Sequence, residues 1–266
     1  MGARMSENAG FRAASDQSLL IYFGQQITRE ASENVRKLLR LLEREPIPGV
    51  RNLHPAYCSL LVKFDPLKLQ HSELEGILRA CLERMQSMDL PAPRVVDIPV
   101  CYGHEFGPDL KEVAALRHLT EAKVIELHTA KEYLVYFLGF VPGFAYLGEL
   151  PEALVTPRLA TPRRIVPPGS VGIAGNQTGV YPFVTPGGWR LLGRTPLAMF
   201  QKDREGLSLL AIGDHVRFSP ITRERFVELE QQARKRPSSE RGAFMPQPKV
   251  GSREASAQEM PGGKPA

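Results

Sequence analysis

The stretch between Leu138 and Phe200 constrains the fold more than any other part of this sequence. From Val141 to Phe200 it contains nine Gly and nine Pro in sixty residues, more turn-forming residues than a globular domain usually carries. Short apolar runs such as Ser170–Ala174 and Trp189–Leu192 lie between them. Short apolar runs bounded by Gly and Pro are typical of strands joined by tight loops, so the stretch predicts a β-barrel or sandwich.

Polar residues in these loops are the candidates for binding, because loops held by a rigid sheet usually carry the functional groups. Arg163 follows Pro162, and a guanidinium on a proline-stiffened loop suits a carboxylate or a phosphate. Gln177 lies between Gly175 and Gly179, where its amide can recognise an amide or a lactam. Trp189 follows a tight turn and can wall a pocket or fill the core.

The first hundred residues predict alternating strands and helices. Residues 1–17 are polar and are expected to be disordered. The strand Leu19–Phe23 precedes a helix capped by Thr28, and a second helix is expected to begin with a Ser72–Glu75 capping box. The remaining predicted strands are Val50–Leu53, Tyr57–Phe64 and Val95–Val100. The resulting order, β-α-β-β-α-β, is that of a ferredoxin-like unit.

The rest of the chain predicts two short helices, Leu110–Leu119 and Thr120–Leu127, and then a strand, Tyr133–Phe140, before the Gly/Pro-rich stretch. Ser208–Ile212 and His215–Phe218 read as a hairpin around Gly213 and Asp214. A helix, Ile221–Arg236, is expected to close the fold. Residues 237–266 are rich in Pro, Gly, Ser and charge, which predicts a disordered tail.

Several functional classes are disfavoured by the composition. The N-terminus has no apolar signal segment and no run is long enough to span a membrane, so a cytoplasmic protein without membrane contact is expected. The net charge is +5, much of it in the tail, and no basic-aromatic stripe indicates nucleic-acid binding. Cys58, Cys81 and Cys101 predict free thiols, and the histidines lack metal-ligand spacing. Gly188–Thr195 has P-loop spacing, but Arg194 replaces the required Lys.

Two long motifs in this order resemble the allophanate hydrolase subunit 1 / 5-oxoprolinase B subunit (Kip-type kinase inhibitor) family: GFVPGFAYLGEL and TPRRIVPPGSVGIAGNQTGVYPFVTPGGWRLLGRTP. The upstream CYGHEFGPDL and the late GDHVRFSPI are also similar to that family. The resemblance covers about residues 17–230. It implies an α+β fold: a ferredoxin-like domain at residues 18–93 and a cyclophilin-like β-barrel domain at residues 94–236.

The resemblance also implies a function. The chain would be the B-type subunit of an ATP-dependent 5-oxoprolinase, which opens the 5-oxoproline lactam to L-glutamate. ATP, with Mg²⁺, would be bound in the complex. The implied partners are a C-type subunit, similar to allophanate hydrolase subunit 2, and an A-type lactam hydrolase. The alternatives are an inhibitor of a sensor histidine kinase, a urea-carboxylase or allophanate-hydrolase-type subunit, and a prolyl isomerase suggested by the barrel alone.

The family's pocket-like motifs carry over to specific positions. Arg163 is expected to hold a carboxylate or phosphate and Gln177 to recognise the lactam, while Phe144, Tyr181 and Trp189 wall the site. No residue is assigned a catalytic role. The full set of substrate-binding candidates is Gly143, Phe144, Arg163, Gly169, Ser170, Gln177, Tyr181, Pro186, Gly187, Gly188 and Trp189.

Overall fold

An antiparallel sheet with two helices on one face forms the N-terminal part of the computed structural model, which describes residues 9–235. The sheet order is β1-β2-β4-β3. Alternate residues of the central strands point at the helices, as the two-residue period of a strand requires, and bury Ile21, Leu60 and Val62 there. Its elements are β1 (Gly10–Ser15), β2 (Ser18–Tyr22), α1 (Arg29–Arg44), β3 (Val50–Pro55), β4 (Ser59–Phe64) and α2 (His71–Arg84).

Strand β1 corrects the expectation that residues 1–17 are disordered, since residues 10–15 pair with β2. It is an edge strand whose last four residues are exposed, so it lacks the apolar alternation that predicts a strand. Phe11 is its anchor, with the Arg79 guanidinium 4.5 Å above the ring. Residues 1–8 lie outside the described part of the chain.

One predicted helix cap is confirmed and the other is wrong. The Thr28 hydroxyl accepts the Ala31 N–H at 3.1 Å, which confirms the predicted cap of α1. Helix α2 begins two residues earlier than the Ser72–Glu75 capping box requires. The Glu73 carboxylate accepts the Gln70 N–H at 2.8 Å, whereas Glu75 pairs with Arg79. Two overlapping sequence patterns with the same spacing competed, and the earlier one forms the cap.

A closed seven-stranded barrel forms the second part, as the Gly/Pro-rich stretch predicts. The strand order is β10-β7-β6-β13-β5-β12-β9, and apolar side chains from all seven strands fill the interior. Its strands are β5 (Val95–Tyr102), β6 (Glu132–Leu138), β7 (Ala145–Gly148), β9 (Ser170–Ala174), β10 (Gln177–Val180), β12 (Arg190–Arg194) and β13 (His215–Pro220). A separate ribbon pairs β8 (Arg163–Val166) with β11 (Thr185–Gly187).

Three helices accompany the barrel. They are α3 (Leu110–Leu116), α4 (Glu121–Thr129) and α5 (Arg223–Lys235). The predicted helices at these positions are therefore confirmed, the last one as far as Lys235. None of the helices within residues 9–235 combines the length and apolar character needed to cross a bilayer. The predicted tail at residues 237–266 lies outside the described residues.

Two predictions about strand pairing are wrong. Val95–Val100, expected to complete the ferredoxin-like unit, lies in barrel strand β5. The hairpin around Gly213 and Asp214 does not form, because Ser208–Ile212 is not a strand and β13 pairs in parallel with β5. The Asp214 carboxylate accepts the Ala211 N–H at 2.7 Å and pairs with Arg94, which turns the chain toward β5 instead. The ferredoxin-like and cyclophilin-like labels and the domain boundaries remain predictions.

Candidate functional site

An aromatic layer covers the outside of the barrel at β7 and β10. Leu147 and Val180 point into the barrel core, so their neighbours Tyr146 and Gly179 face outward. A Cβ on Gly179 would lie 3.1 Å from both the Phe144 and Trp189 rings and 2.9 Å from a backbone oxygen. These two rings meet edge to face at 5.4 Å. Because position 179 has no side chain, both aromatic residues lie directly on the barrel wall.

Tyr181 extends this layer toward the β8–β11 ribbon. Its ring is 5.2 Å from that of Phe144. A Cβ on Gly187 would lie 2.5 Å from the Tyr181 hydroxyl, so the ribbon can cross over the tyrosine only with glycine there. Burial raises the pKa of Tyr181. The hydroxyl is therefore neutral at ordinary pH and can donate a hydrogen bond.

Arg163 lies at the start of the ribbon and is held by a buried carboxylate. Its Nη2 donates to Asp109 Oδ1 at 2.5 Å, and Asp109 Oδ2 accepts the Leu191 N–H at 2.7 Å. The second amino group, Nη1, is buried without a hydrogen-bond partner among residues 9–235. The Arg163 side chain is 28% exposed. Its charge is therefore largely compensated by Asp109, while the Nη1 amino group is left without a partner in the described part of the chain.

The other predicted residues help to position this layer. Gly143 has φ +82° and a Cβ there would lie 2.7 Å from Phe200. The Gly169 N–H donates to the Tyr181 carbonyl at 2.6 Å, and the Gly188 carbonyl accepts the Leu159 N–H at 2.8 Å. Ser170 is buried at the start of β9, and Pro186 is exposed in β11. A direct contact between these residues and a substrate remains a prediction.

Gln177 lies beside Tyr57, a residue that the sequence motifs did not single out. Gln177 is paired with Gly148 on the outward side of β10. Tyr57, from the turn between β3 and β4, packs against Phe137 at 4.8 Å and Tyr146 at 6.0 Å between ring centroids. Burial raises the pKa of Tyr57, while the nearby Gln177 side chain lowers it. The N-terminal sheet therefore contributes a side chain to the candidate site.

Arg158 is a second residue that sequence reasoning missed. It is exposed and lies between Thr156, which bridges to Gly175, and Leu159, which bonds to Gly188. Burial raises the pKa of Tyr57, of Tyr146 and of Tyr181, and the Arg158 cation lowers the pKa of each. The positive charge of Arg158 therefore lies near the hydroxyl groups of these tyrosines. Arg158 follows Pro157 just as Arg163 follows Pro162, but the family motif begins only at Thr161.

Inside the barrel, beneath this layer, His128 forms a buried chain of hydrogen bonds. Tyr102 Oη lies 2.8 Å from Nδ1, and Nε2 lies 2.9 Å from Thr178 Oγ1. Thr178 also donates to the Gly172 carbonyl at 3.1 Å, so it accepts from Nε2–H and Tyr102 donates to Nδ1. Burial lowers the pKa of His128 to about 3. The imidazole is therefore neutral, and the histidine supports the barrel from within.

The segment with P-loop spacing lies in the wall of the barrel. The P-loop-like Gly188–Thr195 segment forms β12, whose Gly193 pairs with both Tyr102 and Val171. A Cβ at Gly193 would lie 2.6 Å from a backbone oxygen, so this strand is packed into the wall and does not fit a phosphate cradle. Within the described part of the chain, no group of three His, Cys, Asp or Glu residues is arranged to hold a metal ion.

Comparison with known proteins agrees with this architecture. The sequence model of one protein family, the carboxyltransferase domain, subdomain C and D, matches residues 9–210. The 5-oxoprolinase B subunit of Bacillus subtilis (strain 168) is 41% identical over 228 residues, which cover 82% of this chain and 95% of that protein. The chain belongs to the 5-oxoprolinase B subunit family. The family member of Escherichia coli O157:H7 is 49% identical over 176 residues, covering 66% of this chain and 77% of its own.

A solved structure of the same fold is longer than this chain. The crystal structure of TTHA0988 superposes with a TM-score of 0.69 at 39% identity. The match covers 77% of this chain but only 40% of TTHA0988. The family fold therefore also occurs as less than half of a larger polypeptide.

Proposed function

We propose that this chain is the B-type subunit of an ATP-dependent 5-oxoprolinase, which opens the lactam of 5-oxoproline to L-glutamate once its partner subunits are bound. The observation that carries the proposal is the match to the Bacillus subtilis 5-oxoprolinase B subunit across 95% of that protein. The relatives do not favour the kinase-inhibitor, urea-carboxylase or isomerase alternatives.

The polar groups around the aromatic layer support a role in binding a small lactam acid. Phe144, Tyr181 and Trp189 are themselves buried, with 2%, 2% and 5% exposure, so they hold these groups in place and do not stack on a ligand. The free Nη1 of Arg163 offers an N–H to a carboxylate or a phosphate oxygen. The Gln177 amide offers both a donor and an acceptor to the lactam. Together these groups orient the ring while its amide remains accessible.

The chemistry requires more than this chain supplies. A lactam is a stable amide, and ATP would supply a phosphoryl group to its oxygen, which would make the amide carbon more open to attack by water. Because β12 does not fit a phosphate, we assign ATP and Mg²⁺ to the complex. The proposed partners are a C-type subunit, similar to allophanate hydrolase subunit 2, and an A-type lactam hydrolase.

Reconstitution tests the proposal directly. The chain is co-expressed with the two partner subunits, and ATP-dependent formation of glutamate from 5-oxoproline is measured. We expect activity from the complete complex and none from this chain alone. A complete, stable complex that forms no glutamate would contradict the proposal. Omitting this chain from the mixture provides the matched control.

A further inference from the structure

The orientation of Tyr57 is unusual for a tyrosine on a turn. The residue is partly exposed, yet its hydroxyl is buried and has no hydrogen-bond partner within residues 9–235. Tyrosines normally turn the hydroxyl toward water and bury the ring. The ring is fixed between Phe137 at 4.8 Å and Tyr136 at 5.3 Å. A buried polar group without a partner lowers stability, so its retention needs an explanation.

Gln177 provides a neighbouring polar group on the same surface. Its cross-strand partner is Gly148, where a Cβ would lie 2.9 Å from the Tyr136 ring that flanks Tyr57. The amide lowers the Tyr57 pKa as a hydrogen-bonding neighbour, although the Tyr57 hydroxyl has no partner among residues 9–235 within normal hydrogen-bond distance and angle. A hydroxyl and an amide therefore lie side by side without satisfying each other. Such a pair can donate to a carbonyl and accept from an N–H of one bound amide.

Arg158 provides a charge beside this pair. It forms no ion pair with any residue in the described part of the chain, in contrast to Arg163, which Asp109 compensates. Its position two residues after Thr156, which bridges to Gly175, brings it to the start of β10 near Gln177. An uncompensated guanidinium beside a free amide-binding pair suits a ligand with both an amide and a carboxylate.

We propose that Tyr57, Gln177 and Arg158 form a subsite for a small lactam acid between the N-terminal sheet and the barrel. The Tyr57 hydroxyl donates to the lactam carbonyl, the Gln177 carbonyl accepts the lactam N–H, and Arg158 pairs with the carboxylate. The assignment rests on the proposed function, because 5-oxoproline is the lactam acid in question.

Two ligands that differ by one carboxylate separate the roles of these residues. In the reconstituted complex, KM is measured for 5-oxoproline and the inhibition constant for 2-pyrrolidinone, the same ring without a carboxylate. We expect Tyr57→Phe to raise both constants about tenfold, the loss of one buried hydrogen bond. Arg158→Gln should raise the KM for 5-oxoproline about tenfold but leave the inhibition constant for 2-pyrrolidinone unchanged.

Matched controls exclude general effects of each substitution. Tyr22→Phe removes a tyrosine hydroxyl from the N-terminal sheet where the ring lies against Gly10, and Arg164→Gln removes an exposed charge one residue from Arg163. Both should leave the two constants unchanged. Equal effects of Arg158→Gln on the two ligands, or no effect of Tyr57→Phe on either, would overturn the subsite.

Binding to the isolated full chain distinguishes this subsite from the proposed function. Titration with 5-oxoproline is followed through the fluorescence of Trp189, the chain's one tryptophan. An inactive complex, combined with a chain that still binds 5-oxoproline and does so more weakly after Tyr57→Phe, would refute the proposed function and support the subsite. An active complex in which neither substitution changes KM would support the function and refute the subsite.

Discussion

The two faces of strand β10 differ in whether their polar side chains have hydrogen-bond partners. On the inner face, Thr178 completes a chain with His128 and Tyr102 in which every buried group is bonded. On the outer face, Gln177 lies beside the unpartnered hydroxyl of Tyr57. A fully satisfied buried network specifies a unique core, whereas an unsatisfied group is one that a ligand can complete. The inner face is structural, and the groups of the proposed subsite lie on the outer one.

Removing the imidazole from the inner network should have the largest effect on stability. His128→Ala leaves a cavity and an unpartnered Tyr102 hydroxyl, so we expect the free energy of unfolding to fall by about 3 kcal/mol. Guanidinium unfolding at pH 7 measures the change. The exposed His54 provides the control, and His54→Ala should stay within about 0.5 kcal/mol of the unsubstituted chain. Equal midpoints for the two variants would show that the network does not stabilise the barrel.

Acidification should weaken the same network. The His128 pKa is lowered to about 3 in the folded protein, whereas in the unfolded chain it lies near its ordinary value of about 6.5. Below that value the unfolded state takes up a proton that the folded state excludes. Stability should therefore be complete above about pH 6.5 and fall by about 2 kcal/mol at pH 5 from this residue alone.

Comparison with a non-titrating residue isolates the contribution of His128. The free energy of unfolding is measured at pH 7 and pH 5 for the unsubstituted chain and for His128→Gln, which keeps a donor and an acceptor. The variant should lose about 2 kcal/mol less between the two pH values. The same loss in both proteins would mean that His128 accepts a proton in the folded state.

On the outer face, adding one methyl group should disturb the aromatic layer. Gly179→Ala places a Cβ 3.1 Å from the Phe144 and Trp189 rings and 2.9 Å from the Ala145 carbonyl. Overpacking of this kind should reduce stability by about 1–2 kcal/mol and shift the Trp189 emission. Gly76→Ala in α2, where a Cβ meets no atom within 4 Å, is the control and should be neutral or stabilising. An unchanged emission spectrum for Gly179→Ala would contradict the packing described.

Local signals explain which parts of the fold could be predicted. Thr28 caps α1 through a residue three positions away, and the strands of the Gly/Pro-rich stretch are marked by the turns beside them. Strand β1 is polar because it lies at an edge, so no alternation marks it. The parallel pairing of His215 with Val95 joins residues far apart in the sequence. Such pairings depend on the whole topology and leave no short motif.

Within the candidate site, too, some residues could be predicted from local sequence motifs and others could not. Phe144, Tyr181 and Trp189 lie in glycine-rich motifs, and the structure brings them together. Tyr57 belongs to the other sheet, and its position opposite Gln177 follows from how the two sheets meet. No sequence pattern indicated that the buried Asp109 would compensate Arg163. Long-range contacts of this kind decide which of several plausible polar residues remains free to bind.

A substitution that keeps the charge of Arg163 should have the smallest effect on stability. In Arg163→Lys an ammonium still faces Asp109, so the free energy of unfolding should change by less than about 0.5 kcal/mol. The free Nη1 group is lost, and we expect the KM for 5-oxoproline in the complex to rise about threefold. Arg164→Lys, at the exposed neighbouring position, should leave KM unchanged. If Arg163→Lys left KM unchanged like this control, the Nη1 group would have no part in binding. The binding role proposed for the outer face of β10 would then depend on Tyr57, Gln177 and Arg158 alone.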